Sequence, residues 1–269
     1  MALSLDIQIP PLPRWLIAPV LGGSRLMYVD MLDWWVSRFC MVDAFELDEI
    51  AIIRSLLRPG DTFVDIGANL GWFTLAASTV LGPEGRIHAF EPRPDTGERL
   101  GMTIELNGLS RMVTLHRHGV WSETCDLQLF VGDPTAPGSS HIAPEAAEGM
   151  AVTIPVRTLD SLELAACHVV KIDIEGAEPH AFRGAVNTIA RHRPYILSEL
   201  NGAQLMSVSQ ASMADYLGTF AALEYDAFYA SGIERGTPIA ATDYRLAMLA
   251  FASVLFVPRE KGPIAWPAT

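Results

Sequence analysis

The residues best suited to chemistry sit where apolar runs end. The run Pro59-Gly60-Asp61-Thr62-Phe63-Val64-Asp65-Ile66-Gly67-Ala68-Asn69-Leu70-Gly71 reads as an apolar strand closed by an acid, then a glycine turn that opens a helix. Gly67 permits a tight turn and close backbone approach to a ligand, and the following helix offers free amides at its N-terminus. The spacing is GxxxG after an Asp, not the GxGxxG of nicotinamide-binding folds. About 20 residues on, the strand 86–90 ends in Glu91-Pro92, which places a carboxylate where a ribose diol would lie on a neighbouring strand. Taken alone, the turn could be only a tight strand-to-helix connection. Together with Glu91 it describes an adenosine site. An Asp before the turn, with no phosphate-loop lysine, disfavours a triphosphate and suits a cationic adenosyl group.

A second set of candidates follows strand 168–174, which delivers Asp173 and Glu175 to the carboxyl edge of the sheet. If the strand persists through Ile174, alternation aims both side chains to one side. Two close, partly desolvated carboxylates raise one pKa, so either is a candidate general base. The structural alternative is that Glu175 caps the helix near Pro179 or pairs with Lys171 or Arg183. His141, in the loop Gly138-Ser139-Ser140-His141-Ile142, is a further candidate base or substrate contact, against a merely solvated histidine. His180 belongs on a first helical turn facing solvent or the site mouth; His116 and His118 read as structural. Asp173, Glu199 and Asn201 end two adjacent strands and could offer oxygens to magnesium, but the expectation is a site without a metal. Trp72 and Phe73 open the first core helix, and Trp34 and Trp35 sit on an earlier one. Core packing is the preferred reading for all four, with contact to donor or substrate as the alternative for Trp72 and Phe73 and a cover over the substrate pocket as the alternative for Trp34 and Trp35.

The elements that must position these residues follow from periodicity. An extended or loosely helical arm over 1–25 leads into helices at 31–40 and 46–57. An alternating series comes next: strand 62–66, helix 70–81, strand 86–90, helix 95–107, and strands 113–120 and 126–131. After a Pro/Gly/Ser-rich loop over 132–150 come helix 159–164, strand 168–174, helix 179–192, strand 195–199, helix 213–220 and closing strands near 224–229 and 252–257. Alternation of this kind implies an α/β fold, a mostly parallel sheet with helices on both faces, whose ligand lies at the carboxyl ends of the strands. The expected division is an arm over 1–45 and one catalytic domain over 46–269.

Composition narrows the function. The chain has 269 residues, half of them apolar, with 19 Lys+Arg against 31 Asp+Glu and a net charge of −12. No basic block supplies the footprint for a phosphate backbone, so nucleic acid is not an expected partner. Three cysteines, Cys40, Cys125 and Cys167, lack CxxC spacing, arguing against a disulfide framework or structural zinc and fitting a cytoplasmic location. No basic leader precedes the prolines at 10, 11 and 13, and no stretch approaches the roughly 20 apolar residues of a membrane span.

Four motifs in order, PGDTFVDIGANLGWFTLAA, AFEPRP, KIDIEGAEPHAFRGA and RPYILSEL, resemble the FkbM-type S-adenosylmethionine-dependent methyltransferases over roughly residues 44–258, including an acid, Glu46, before the first core helix. The resemblance implies a three-layer, Rossmann-like class I methyltransferase fold: seven strands, the last antiparallel, after a helical N-terminal extension. It implies O-methylation of a small hydroxylated natural product or glycosyl group, with S-adenosylmethionine as donor and S-adenosylhomocysteine as product. Carried over, Asp65, Gly67, Asn69 and Gly71 surround the donor's methionine and ribose, Glu91 and Pro92 its ribose, and Gly119, Val120, Trp121 and Ser122 its adenine, with Asp173 also counted among the donor-binding residues. The usual acidic or amide adenine partner is missing from that last segment. Alternatives are a non-catalytic module that binds the donor and a nicotinamide oxidoreductase. A homodimer is compatible with all of these.

Overall fold

The computed structural model describes residues 14–131, 140–142, 151–240, 242–243 and 250–267. Most of the expected loop 132–150 therefore lies outside the described residues, as does the proline cluster at 10–13. In chain order, β1 (Trp15–Val20) and β2 (Arg25–Asp30) are followed by α1 (Val36–Met41), α2 (Leu47–Leu56), β3 (Thr62–Ile66), α3 (Trp72–Ser78), β4 (Arg86–Phe90), α4 (Pro94–Leu106) and β5 (Val113–His116). Next come β6 (Gly119–Val120), β7 (Cys125–Phe130), β8 (His141–Ile142), β9 (Ala151–Arg157) and β10 (Val169–Ile172). The chain continues with α5 (Glu178–Arg183), α6 (Val186–His192), β11 (Tyr195–Asn201), α7 (Gly202–Gln204), α8 (Met213–Ala222), β12 (Tyr225–Tyr229), β13 (Pro238–Ile239) and β14 (Phe251–Pro258).

The main sheet runs β13-β12-β14-β11-β10-β3-β4-β5. Its strands from β5 to β11 are parallel, and β14 is antiparallel to both β11 and β12. This is the expected α/β architecture. The described sheet has eight strands rather than seven, because two-residue β13 adds to the β12 edge. From β3 the chain steps outward to β4 and β5, then returns to place β10 on the other side of β3. That reversal opens a crevice at the carboxyl ends of β3 and β10.

β3 is buried at all five positions, as a central parallel strand covered on both faces must be. One face packs with α2, α3 and α4 and the other with α5, α6 and α8. The N-terminal arm is not helical throughout. β1 and β2 form an antiparallel hairpin whose Ala18, Val20, Met27 and Val29 join the first of these cores. The outer edge of β2 is satisfied by side chains of α4: Asn107 Oδ1 accepts from Leu26 N and Thr103 Oγ1 from Tyr28 N, which blunts an otherwise open strand edge.

The helix expected over 159–164 is only a 3-10 turn at Asp160–Leu162, and three further elements differ for local reasons. The strand expected over 113–120 splits after His116. β6 leaves the main sheet to pair with β9 in a small sheet of order β6-β9-β7-β8. The helix expected over 179–192 breaks into α5 and α6 at Gly184, whose backbone lies against the Trp121 carbonyl so closely that any Cβ would overlap it. β10 ends at Ile172, two residues early, because Glu175 (φ 56°) and Gly176 (φ 92°) turn the chain through the left-handed region. Among the described residues no helix is long and apolar enough to cross a membrane.

Candidate functional site

A cavity of about 370 Å³ lies at the carboxyl ends of β3, β4 and β10. One of its ends is built largely from backbone. Gly67 (φ 85°) follows β3 so closely against β10 that a Cβ there would overlap the Asp173 carbonyl oxygen. Its close approach is therefore to the neighbouring strand end as well as to the cavity. Asn69, also left-handed at φ 49°, points its amide at Glu91, whose Oε2 accepts it at 3.0 Å while Oε1 accepts Arg93 N at 2.9 Å. Burial pushes the Glu91 carboxyl up to about 7, against the pull of these two amides. A carboxyl so held, beside a glycine turn, suits a vicinal diol that can donate to it.

Beneath this end lies Asp65, fully buried, accepting from Thr74 Oγ1 at 2.6 Å. Burial raises its pKa to about 6, with Thr74 and Lys171 opposing. Asp65 ties the end of β3 to α3 and does not line the cavity. Gly71 and Ser122 are likewise outside the lining. Gly67, Asn69, Glu91, Pro92, Gly119, Val120 and Trp121 all line it. Gly119 and Val120 do so from β6, and Trp121 is fixed by a parallel stack on His180 at 3.7 Å between ring centroids. His180 is on the first turn of α5 as expected, half-buried with one face stacked on Trp121 and its Nδ1 bonded to Arg183. Burial and Arg183 push its pKa down to about 4.

The other end is built from charged side chains. Lys171, buried on β10, donates from Nζ to Asp173 Oδ2 at 2.7 Å and lies 4.4 Å from the Phe73 ring centroid. Burial works against its charge, but Asp173, Glu46 and Asp65 outweigh it and hold its pKa above the usual lysine value. Glu175 is pushed up to about 7, by burial first and then by Asp173, despite a hydrogen bond from Gln204. Glu199, near the end of β11, is pushed up to about 9 by burial, with Asp173 adding to it. Glu46, at the head of α2, rises to about 7, again chiefly through burial. Glu46, Lys171, Asp173, Glu175 and Glu199 all line the cavity.

The sequence-level alternatives for Glu175 are overturned. Lys171 pairs with Asp173 instead, and Glu178 holds the turn before α5, its Oε1 accepting from Ile174 N at 3.0 Å and Gly176 N at 3.4 Å. Glu175 lies beyond β10, so the left-handed turn and not strand alternation brings it to the cavity. His141 lines the cavity as well, but from β8, paired with Phe130, not from a loop.

The oxygen trio Asp173, Glu199 and Asn201 is not assembled. Asn201 Oδ1 accepts from Ala203 N and Gln204 N and so caps α7. Glu46 takes its place, with one oxygen each of Glu46, Asp173 and Glu199 within 4.8 Å of one another. Hard cations take such oxygens, yet the Lys171 ammonium already supplies a positive charge inside this group. With Glu199 held protonated near neutral pH, Asp173 and the partly ionised Glu46 and Glu175 still outweigh the one ammonium, which fits a cationic sulfonium as guest.

The aromatic residues divide. Trp72 and Phe73 are buried yet line the cavity, with Trp72 Nε1 donating to Phe45 O at 3.1 Å. Trp34 and Trp35 are 57% and 66% exposed, so core packing does not hold for either. Trp35 stacks on Phe39 and edges the cavity. Sequence reasoning passed over Arg93, which lines the cavity while bound to Asp95 and Ser140. It also did not place Glu46 in the site, because nothing in a local motif ties the head of α2 to β10 and β11.

Residues 65–225 match the model of the methyltransferase FkbM domain. The hexuronic acid methyltransferase AglP of Haloferax volcanii is 27% identical over 183 residues, 64% of this chain and 74% of that protein. A tRNA wybutosine-synthesizing protein 2 homolog of Danio rerio is 35% identical over 78 residues, 29% of this chain and 19% of that protein. A crystal structure of an FkbM methyltransferase from Methylobacillus flagellatus aligns with a TM-score of 0.48 at 19% identity, covering 75% of this chain and 44% of that one.

Proposed function

Since the chain belongs to the FkbM methyltransferase family and is thus an S-adenosylmethionine-dependent methyltransferase, we propose that it methylates a hydroxyl of a small natural product or glycosyl group, with Glu175 as general base. The observation that carries this reading is the placement of Glu175 and the Asp173–Lys171 pair on the same cavity as Gly67 and Glu91. When bound, S-adenosylmethionine supplies the methyl group as an electrophile.

The chain's own residues then have three tasks. Glu91 and the Gly67–Asn69 turn hold the ribose side of the donor. Aligning two reactants in this way is worth roughly 7–11 kcal/mol of barrier when the geometry is good. Asp173, fixed by Lys171, presents a constant negative charge at the acid end. Glu175, with a pKa of about 7, sits near working pH and accepts the hydroxyl proton as the new carbon–oxygen bond forms.

The test is the double variant Asp173→Asn/Glu175→Gln, assayed with labelled donor across a panel of hydroxylated acceptors. Turnover is expected to fall about 10²–10⁴-fold, with binding of S-adenosylhomocysteine retained and the rising limb of the pH–rate profile near 7 lost. Undiminished turnover would remove the base assignment. Retained donor binding without transfer to any acceptor, in the wild type, would favour a non-catalytic module.

A further inference from the structure

Beside the cavity lies a second, wider groove of about 960 Å³, between the α1–α2 segment and the β11–α7–α8 segment. The two spaces share Trp35, Glu46 and Glu199 as a common wall. A molecule seated in the groove therefore meets the cavity at its acid end, beside Asp173. The groove's charge is one-sided. Glu46, Glu49 and Glu199 line it, and among the described residues no Lys, Arg or His does.

Glu49 is the decisive member. It is only 6% exposed, faces the groove, and has no hydrogen-bond or ion-pair partner among the described residues. Its unpartnered carboxyl opens only onto the groove, so a cation seated there would meet it directly. Lys171, the ammonium nearest Glu46 and Glu199, is bonded to Asp173 on the cavity side and does not line the groove. The rim adds apolar surface, with Trp35, Met206 and Phe251 all more than half exposed. Carboxylates at the back and an aromatic ring at the lip are what an organic ammonium requires.

We infer that this groove is the acceptor site and that it selects a hydroxylated acceptor bearing a protonated amine, rejecting one that bears a carboxylate. The inference rests on the methyltransferase reading above and deepens it. It sets this chain apart from its hexuronic acid-methylating relative, whose named substrate carries the opposite charge. The amine docks against Glu49 and Glu46, the ring lies along Trp35, and a hydroxyl reaches past Glu199 into the cavity.

The experiment uses the methyl glycosides of glucosamine, glucose and glucuronic acid as probes, titrated calorimetrically into the full chain loaded with S-adenosylhomocysteine. The same glycosides are then assayed for label transfer from S-adenosylmethionine. The amine glycoside is expected to bind at least about tenfold more tightly than the uronide, with the neutral glycoside between them. Glu49→Gln should narrow that ratio and Glu49→Lys should invert it. Met206→Lys, on the exposed rim where folding is not at risk, should narrow it as well.

The inference is overturned if the uronide binds as well as the amine glycoside, if the amine glycoside gives no heat, or if none of the three variants moves the ratio. It is also overturned if magnesium alone binds and displaces the amine glycoside, which would assign the acids to a metal. Absence of label transfer to all three probes, with the binding order intact, would count against the methyltransferase reading and leave the groove's selectivity supported.

Discussion

The two ends of the cavity are made in different ways. The end proposed for the donor is a local design: Gly67, Asn69 and Glu91 lie within 25 residues of sequence, and their contacts run through backbone amides and a glycine that admits no side chain. The acid end is assembled from Glu46, Lys171, Asp173, Glu175 and Glu199, segments far apart in the chain, and its contacts run through charges. A backbone-built end depends on shape and on the single carboxyl, Glu91, that its amides hold. A charge-built end depends on balance, so removing one member unsettles the rest.

The largest expected effect breaks the acid end. Lys171→Met leaves Asp173, Glu46 and Glu199 without their ammonium, and loss of one partner of a buried pair costs about 3–5 kcal/mol. Thermal unfolding should show it, while the donor end, read by S-adenosylhomocysteine affinity at a temperature where the variant is folded, changes little. Gly67→Ala breaks the donor end instead. The left-handed conformation costs a side chain about 1–3 kcal/mol, and the overlap with the Asp173 carbonyl adds to it. Donor affinity should fall below detection while the Lys171–Asp173 pair survives.

A smaller effect comes with pH. Glu46, Glu175 and Glu199 have folded pKa values raised above their ordinary value of 4.5, to about 7, 7 and 9. The folded chain therefore holds protons that the unfolded chain releases, and stability is highest at low pH within this range and falls as pH rises from about 4.5 towards 9. Melting curves across that window should fall by several degrees, and Glu199→Gln should flatten the upper part. The smallest effect is Trp72→Phe, which loses one hydrogen bond to Phe45 O. It should cost about 0.5–1.5 kcal/mol, or roughly 1–5 °C in Tm.

The same contrast explains what could be read from the sequence. β3 and β4 fall where their apolar runs and turn glycines place them, and Glu91 is recognisable as a strand-end acid because its partner motif is adjacent in sequence. The hairpin β1–β2 was not legible, since its strands gain their pattern by packing on α3 and α4 rather than from alternation of their own. The split at Gly184 was hidden because a glycine in a helical pattern does not announce which backbone will press against it. Glu46 and Glu49 carried no local sign of their place, because the side chains that give them meaning come from β10, β11 and α8. Glu178 was overlooked for a similar reason: its carboxylate serves a turn created by the left-handed Glu175, a conformation that sequence alone assigns to glycine rather than glutamate.

The central claim is that Gly67, Asn69 and Glu91 form the seat of the donor. Calorimetric titration of S-adenosylhomocysteine into the wild type and into Glu91→Ala tests it directly. One site per chain in the wild type, weakened about ten- to a hundredfold by the loss of a charged hydrogen-bond acceptor, is the predicted result. No binding by the wild type, or equal binding by Glu91→Ala, would contradict it.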